Sequence, residues 1–233
     1  MSVRTPTQAF AEVASSLVEH DDLADTLLHL VDSCTDVLDV SAVALLVRDA
    51  SGDLQLLASS SHRVVELELY QVQADSGPCV DTIRTGLEVS AATATQIVTR
   101  WPEVGPQIVA AGFGSVHASP LRWRGEPLGG LNIFAVGPAA LEEERRVLAQ
   151  AFADMATVTI VRSGHLDASQ ALLRVGHALA GRTVIERAKG ILAYARGVDM
   201  AAAYDLLVTM SEEQGSTLSH TAADVIRRVQ QSR

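Results

Sequence analysis

Lysine is almost absent from this 233-residue sequence: of its 18 Lys and Arg residues, all but Lys189 are arginine. A lone lysine in such a background calls for an explanation. Gly190 follows it inside a stretch with helical periodicity, where glycine costs about 1 kcal/mol relative to alanine unless another molecule must approach the backbone closely. The pair is therefore either a solvated surface lysine beside a tolerated glycine or part of a binding surface.

Cysteines, metal motifs and long apolar runs are also scarce. Cys34 and Cys79 are the only cysteines, which excludes a disulfide framework and a zinc site. The seven histidines are scattered, and no Gly-rich phosphate loop follows a strand, so we expect no metal centre and no enzyme. No run of 18 uncharged apolar residues and no signal peptide is present, which predicts a cytoplasmic protein without membrane contact.

The net charge of -10 is distributed unevenly along the chain. Residues 1–165 have 21 acidic and 10 basic side chains, a net charge of -11, whereas residues 166–233 have 7 and 8, a net charge of +1. A weakly basic C-terminal module attached to an acidic one permits a polyanionic partner.

Hydrophobic periodicity predicts an α+β domain at the N-terminal side. Apolar residues recur at helical spacing in residues 7–19 and 22–38, and again from Leu141 onward. Buried-strand patterns at 41–48 and 54–59 flank a Ser-Gly turn, and a second pair at 116–123 and 128–136 flanks Arg124-Gly125. Short helices are expected near 80–85 and 104–111. Helices around an antiparallel sheet define the α+β class.

Several motifs of this region together resemble the GAF domain of actinobacterial proteins. The motifs are Asp75-Ser76-Gly77-Pro78-Cys79, Arg84-Thr85-Gly86, Arg100-Trp101-Pro102, Gly114-Ser115-Val116, Ser119-Pro120-Leu121-Arg122 and Gly125-Glu126-Pro127-Leu128-Gly129-Gly130-Leu131-Asn132. The resemblance covers about residues 8–163. It implies a sensor domain with an antiparallel sheet of five or six strands, flanked by helices, and a pocket for a small-molecule ligand that the sequence does not identify.

Cys79 is the candidate sensing residue of that domain. Some GAF domains attach a bilin through cysteine or use thiols in redox chemistry, but the resemblance to free methionine sulfoxide reductases fails because those enzymes need more than one pocket cysteine. Cys79 follows Gly77-Pro78 at a predicted helix N-terminus, a position that can lower the pKa of a thiol. Redox or ligand sensing at Cys79 therefore stands beside a purely structural interpretation.

Residues 168–230 have the pattern of three amphipathic helices. The first ends at Arg196-Gly197, Asp199 caps the second, and Ser216 or Ser219 starts the third. Arg182, Lys189 and Arg196 lie seven residues apart, so each falls within about 20° of the last around the first helix. These cations form one stripe, bordered by Gly190, that is either a solvated face or a binding surface.

This C-terminal segment resembles an ANTAR domain. The resemblance rests on Ala171-Leu172, Arg182-Thr183-Val184-Ile185-Glu186-Arg187-Ala188-Lys189-Gly190-Ile191-Leu192, Ala203-Tyr204, Leu206-Leu207, Leu218 and Ala222. It implies an all-α three-helix bundle that binds RNA hairpins in nascent transcripts, usually as a homodimer, and prevents terminator formation. Arg182, Lys189, Gly190 and Arg196 would form the RNA-binding surface, and no DNA partner is expected.

The sequence departs from the ANTAR pattern at two places. Leu207-Val208 stands where Leu-Arg is common, and Gly215-Ser216-Thr217 stands where a basic Asn-x-Lys or Asn-x-Arg usually precedes the third helix. Two hypotheses follow. The chain is a GAF–ANTAR regulator of transcription antitermination, or it is a dimeric signalling or scaffold protein whose bundle mediates protein contacts.

Overall fold

A computed structural model describes residues 5–19, 23–49, 51–161 and 168–231. Within these residues, seven helices and five strands form the first domain. The helices are α1 (Pro6–Glu19), α2 (Leu23–Leu38), α3 (His62–Gln73), α4 (Pro78–Thr85), α5 (Ala94–Arg100), α6 (Gly105–Ala110) and α7 (Glu143–Val161). The strands are β1 (Ala42–Arg48), β2 (Leu54–Ser59), β3 (Val89–Ala91), β4 (Ser115–Trp123) and β5 (Glu126–Ala135). The C-terminal bundle contains α8 (Ala168–Arg196), α9 (Met200–Gln214) and α10 (Leu218–Gln231).

The five strands form one antiparallel sheet in the order β2-β1-β5-β4-β3, which confirms the predicted α+β class. The turn between β4 and β5 places Arg124 at φ 53° and Gly125 at φ 90°. Two successive residues with positive φ match the right-handed twist of a hairpin. The hairpin connects two of the three central strands of the sheet.

Helices cover both faces of the sheet. Residues 42–47 of β1 are all buried, and their side chains alternate between the two faces. Val43 and Leu45 pack with α2 and α7 on one face, and Ala44 and Leu46 pack with α3 and α4 on the other. Cys34 belongs to the first of these layers and Cys79 to the second, so the sheet lies between the two free thiols.

Three elements of the first domain were not predicted from the sequence: α3, α5 and β3. The segment Glu66-Leu67-Glu68-Leu69-Tyr70 of α3 alternates acidic and apolar residues, as a half-buried strand does. Helical geometry instead brings Val64, Leu67 and Gln71 to the buried face, one turn apart. Packing against β1 and β2 therefore decides the structure of this segment.

The bundle helices begin and end close to where the sequence predicts. Gly197 ends α8 at φ 65°, the Asp199 carboxylate accepts from the Ala202 N–H at 2.8 Å, and α10 begins at Leu218. Ile185, Ala188, Leu207 and Ala222 form the bundle core with their neighbours. Three apolar residues of the bundle helices, Ala195, Leu206 and Val229, are exposed. The predicted end of the first domain, at about residue 163, lies outside the described residues.

The bundle packs against α2 and β2 of the first domain. The Asp25 carboxylate of α2 accepts a hydrogen bond from the Leu218 N–H at 2.6 Å and a longer one from the Ser219 hydroxyl at 3.4 Å. Asp25 thus helps to satisfy the free N–H groups at the start of α10. In the part of the chain that the structure describes, no helix is both long enough and apolar enough to cross a membrane.

Candidate functional site

A buried polar cluster lies between the sheet and α3 in the first domain. Glu68 of α3 is fully buried, and its two carboxylate oxygens accept from Asn132 Nδ2 at 2.6 Å and from Gln71 Nε2 at 3.0 Å. Burial raises the pKa of Glu68 to about 8, while the hydrogen bond from Asn132 acts in the opposite direction. The carboxyl group is therefore mostly protonated at neutral pH.

Two amide oxygens beside this carboxyl group have no hydrogen-bond partner. Among the described residues, Asn132 Oδ1 and Gln71 Oε1 are both buried and unsatisfied. The cluster is also tightly enclosed, since Gly77 has φ 132° and a Cβ at that position would collide with the Gln71 side chain. The arrangement offers acceptors to a donor group. Asn132, a polar residue in the buried part of β5, was the sequence signal that could have identified this cluster.

Cys79 borders the same cluster, but its environment differs from the expectation. The thiol is fully buried, and its Sγ atom lies 3.1 Å from where a Cβ on Gly130 would be. Burial raises the pKa of Cys79 well above its usual value, and the nearby Glu68 raises it further. The helix N-terminus therefore does not lower the pKa of Cys79 here, because desolvation outweighs the dipole of the short α4.

Two of the three cations of the predicted α8 stripe, Arg182 and Lys189, face the first domain rather than open solvent. The Arg182 guanidinium donates to the Leu56 carbonyl of β2 at 2.8 Å, and burial lowers the pKa of Arg182. The Lys189 side chain is only 9% exposed. The interpretation of Lys189 as a solvated surface lysine is therefore wrong.

Lys189 is held by two partners within the bundle. Its ammonium group donates to both carboxylate oxygens of Glu186, at 3.0 and 3.2 Å, and lies 5.6 Å from the centre of the Tyr204 ring. The pKa of Tyr204 is raised by burial first and then by the Asp32 and Asp25 carboxylates of α2. The acidic side of α2 thus faces the same part of the bundle as the cation stripe.

A cleft of about 630 Å³ separates the bundle from the first domain at this point. Arg182, Glu186, Lys189 and Tyr204 line one wall, and residues of α2, the end of β2 and the start of α3 line the other. Opposite charges meet across it, because Asp32 and Arg63 belong to the first domain. Two of the three predicted RNA-contacting cations, Arg182 and Lys189, therefore lie at the domain boundary.

The other two predicted site residues, Gly190 and Arg196, are exposed. Arg196 is the last residue of α8. A Cβ added to Gly190 would meet nothing within 4 Å. The structure therefore divides the predicted surface: Arg182 and Lys189 are covered, and Gly190 and Arg196 are open. No group of three or more His, Cys, Asp or Glu residues suited to a metal ion occurs within the described parts of the chain.

We expect Gly190→Ala to stabilise the bundle by about 0.5–1 kcal/mol, because alanine has the higher helix propensity and nothing crowds the added methyl group. Thermal unfolding followed by helical circular dichroism measures this. Gly181→Ala is the matched control on the same helix, since its Cβ would lie 3.3 Å from both Ala24 Cβ and Ser219 Oγ. Crowding there should offset the gain in propensity, and destabilisation by Gly190→Ala would contradict the open environment.

Comparison with solved structures identifies the fold of the first domain. The GAF domain of a Coxiella burnetii phosphoenolpyruvate-protein phosphotransferase has a TM-score of 0.53 and 18% identity, covering 66% of this chain and 92% of that one. The phycoerythrobilin-bound GAF domain of a cyanobacterial phytochrome has a TM-score of 0.52 and 12% identity, covering 74% and 98%. Free methionine-R-sulfoxide reductase from Neisseria meningitidis has a TM-score of 0.51 and 14% identity, and the match covers 72% of this chain and 90% of that one. At these identities the likeness shows the fold alone.

The two parts of the molecule define a sensor-type domain joined to a helical output module. The family model described as GAF domain matches residues 22–160, and the one described as ANTAR domain matches residues 173–226. The chain belongs to the GAF domain family and has a C-terminal ANTAR domain. This architecture is regulatory, and its general kind is that of RNA-binding antitermination regulators. Among curated proteins, none matches the chain.

Proposed function

We propose that this protein is a signal-responsive regulator of transcription antitermination, in which a cytoplasmic GAF domain at residues 8–163 controls hairpin RNA binding by the ANTAR domain at residues 168–230. A homodimer is the proposed functional unit, and a small molecule in the GAF domain is the proposed signal. One observation supports this coupling most directly. Arg182, a predicted RNA contact, donates its hydrogen bond to the Leu56 carbonyl of the GAF domain.

The covered cations suggest how the signal acts. The Arg182 guanidinium is half-buried and donates one hydrogen bond to β2, and Lys189 lies within the cleft between the domains, so both cations are less accessible to a phosphate. A ligand that loosens the contact between α2 and the bundle would free Arg182 from β2 and would open the cleft beside Lys189. Each freed cation that neutralises a phosphate adds to affinity and to its salt dependence.

The test uses the full chain and a pool of hairpin RNAs with a constant stem and a randomised loop. We expect the wild type to retain part of the pool, with an affinity that falls as salt rises. Arg196→Ala should reduce the slope of log affinity against log salt by about 0.7–0.9, the value of one phosphate contact. Glu126→Gln, a change of charge at the exposed first residue of β5, is the control for nonspecific electrostatics. Retention no greater than that of an unrelated acidic protein contradicts the proposal.

The scaffold alternative is supported by the apolar exposure of the bundle. Leu206 of α9 and Val229 of α10 are partly exposed, at 37% and 41%, and Val208 stands where the family pattern has arginine. Such residues suit a protein contact better than a polyanion. A bundle that binds a protein partner but no RNA from the pool would favour this alternative.

A further inference from the structure

One face of α8 is turned away from both the GAF domain and the bundle core. Thr183, Arg187, Gly190 and Tyr194 are all exposed. Their spacings of four, three and four residues place them within about 60° of arc, roughly 130° around the helix from the stripe of Arg182 and Lys189. We call this set the outer face of α8.

Tyr194 is the most prominent side chain of the outer face. It is 93% exposed, more than any other large hydrophobic residue of the described chain. Tyr70 is exposed to a smaller extent, at 36%, and Phe10 and Phe152 are packed as a stacked pair. An exposed aromatic ring that does not pack within the protein can be replaced without loss of stability. Its apolar surface is available to contact a partner.

The surroundings of Tyr194 are cationic and sterically open. Arg187 lies seven residues before it on the same face, and makes no ion pair with any residue that the structure describes. Glu186 is the only acidic residue between positions 179 and 197, and it is bonded to Lys189. Gly190 lies between Arg187 and Tyr194 with free space above its Cα atom. The outer face thus presents a ring, a cation and an accessible backbone without a carboxylate.

We propose that the outer face of α8 is a stacking platform for an unpaired base of an RNA loop, with Tyr194 stacking on the base and Arg187 binding an adjacent phosphate. Gly190 lets the sugar-phosphate backbone approach the helix closely. Proteins read RNA mainly through unstacked loop bases, which they stack on aromatic side chains beside arginine. This inference rests on the proposed RNA-binding function and names the part of α8 that binds first, since the outer face is open while Arg182 and Lys189 are covered.

Charge favours RNA over a second copy of the chain as the occupant. A two-fold symmetric contact through the outer face would bring Arg187 and Tyr194 of one copy against the same residues of the other. Two unpaired arginines would then approach each other with no carboxylate on the face to separate them. The single ring also offers less apolar area than a stable protein contact needs.

The experiment compares Tyr194→Ala and Tyr194→Phe in the full chain, with the randomised-loop hairpin pool as the probe. We expect Tyr194→Ala to weaken retention about tenfold or more, with the salt slope unchanged, because a stacking contact and no phosphate contact is lost. Tyr194→Phe should stay within about twofold of wild type, since the ring is kept. Arg187→Ala should reduce the salt slope by about 0.7–0.9.

A 2-aminopurine placed in the loop of a retained hairpin gives a second readout. Stacking on an aromatic ring quenches its fluorescence, so wild type and Tyr194→Phe should quench it and Tyr194→Ala should not. If wild type binds the pool and Tyr194→Ala binds equally well, the stacking platform is wrong while the proposed function stands. If wild type binds no RNA, both the proposed function and the stacking platform are wrong. If Tyr194→Ala instead dissociates a dimer in sedimentation experiments without RNA, the outer face is a contact between copies and the inference is overturned.

Discussion

Replacing Glu68 with glutamine should remove a large pH dependence from the stability of the GAF domain. In the unfolded chain this carboxyl group ionises near pH 4.5, and in the folded domain near pH 8. Between these values the folded state binds more protons, so the stabilising contribution is fully present below pH 4.5 and is lost as the pH rises through 8. At about 1.4 kcal/mol per pKa unit, the wild type should lose several kcal/mol between pH 5 and pH 9.

The glutamine variant is neutral throughout this range, and its amide group can donate to the unsatisfied oxygens of Asn132 or Gln71. Urea unfolding at pH 5, 7 and 9, followed by tryptophan fluorescence, measures the difference, because both tryptophans, Trp101 and Trp123, belong to the GAF domain. Glu66→Gln on the exposed side of α3 is the matched control and should keep the wild-type dependence. Parallel profiles for wild type and Glu68→Gln would show that Glu68 is ionised in the folded domain.

The sequence predicted most of the fold because local patterns and packing agree there. The hairpins follow from turn residues such as Arg124-Gly125, and the ends of the bundle helices follow from Gly197 and Asp199. The pattern failed at α3, where alternating residues imitate a strand. Hydrogen bonding of Glu68 to Asn132, which is 64 positions away, also has no local signature. Contacts between residues far apart in the sequence, such as this one, could not be predicted from local patterns.

The candidate RNA surface was predicted in part. Periodicity correctly placed Arg182 and Lys189 on one side of a helix, but periodicity gives an angle and does not say what covers that side. Glu186 and Tyr204 cover Lys189 from within the bundle, and Leu56 binds Arg182 from the other domain. The identity of the covering surface depends on how two domains pack, so the exposed Tyr194 could be recognised only from the structure.

The contact between the two domains is also where a single substitution should have the largest effect on RNA binding. Asp25→Ala removes a buried carboxylate that accepts from the Leu218 N–H at 2.6 Å. Hydrogen bonds to charged groups contribute about 1.5–3 kcal/mol. Losing this one should shift the equilibrium between docked and released bundles by roughly 10- to 150-fold. If the docked state masks the cations, RNA affinity should rise, up to that limit.

Lys189 makes the release directly measurable, because an amine-reactive reagent has no other lysine to modify. We expect the Lys189 peptide of Asp25→Ala to be acylated faster than that of wild type, with mass spectrometry as the readout. Asp25→Asn, which keeps an acceptor but loses the charge, should fall between the two. Asp53→Ala removes the same charge from an exposed turn of the GAF domain and should leave labelling unchanged.

The two readouts separate masking from a general electrostatic effect. Loss of any acidic residue from a protein of net charge -10 should raise affinity for a polyanion slightly, and Asp53→Ala measures that contribution. Masking predicts a larger effect than this. The Asp25→Ala variant must bind RNA more tightly than the Asp53→Ala variant, and its Lys189 must be labelled faster than that of wild type. Equal affinities for the two variants would mean that the GAF domain does not control the RNA surface through this contact. Faster labelling with unchanged affinity would mean that RNA binding does not involve Lys189, and would leave the outer face of α8 as its site.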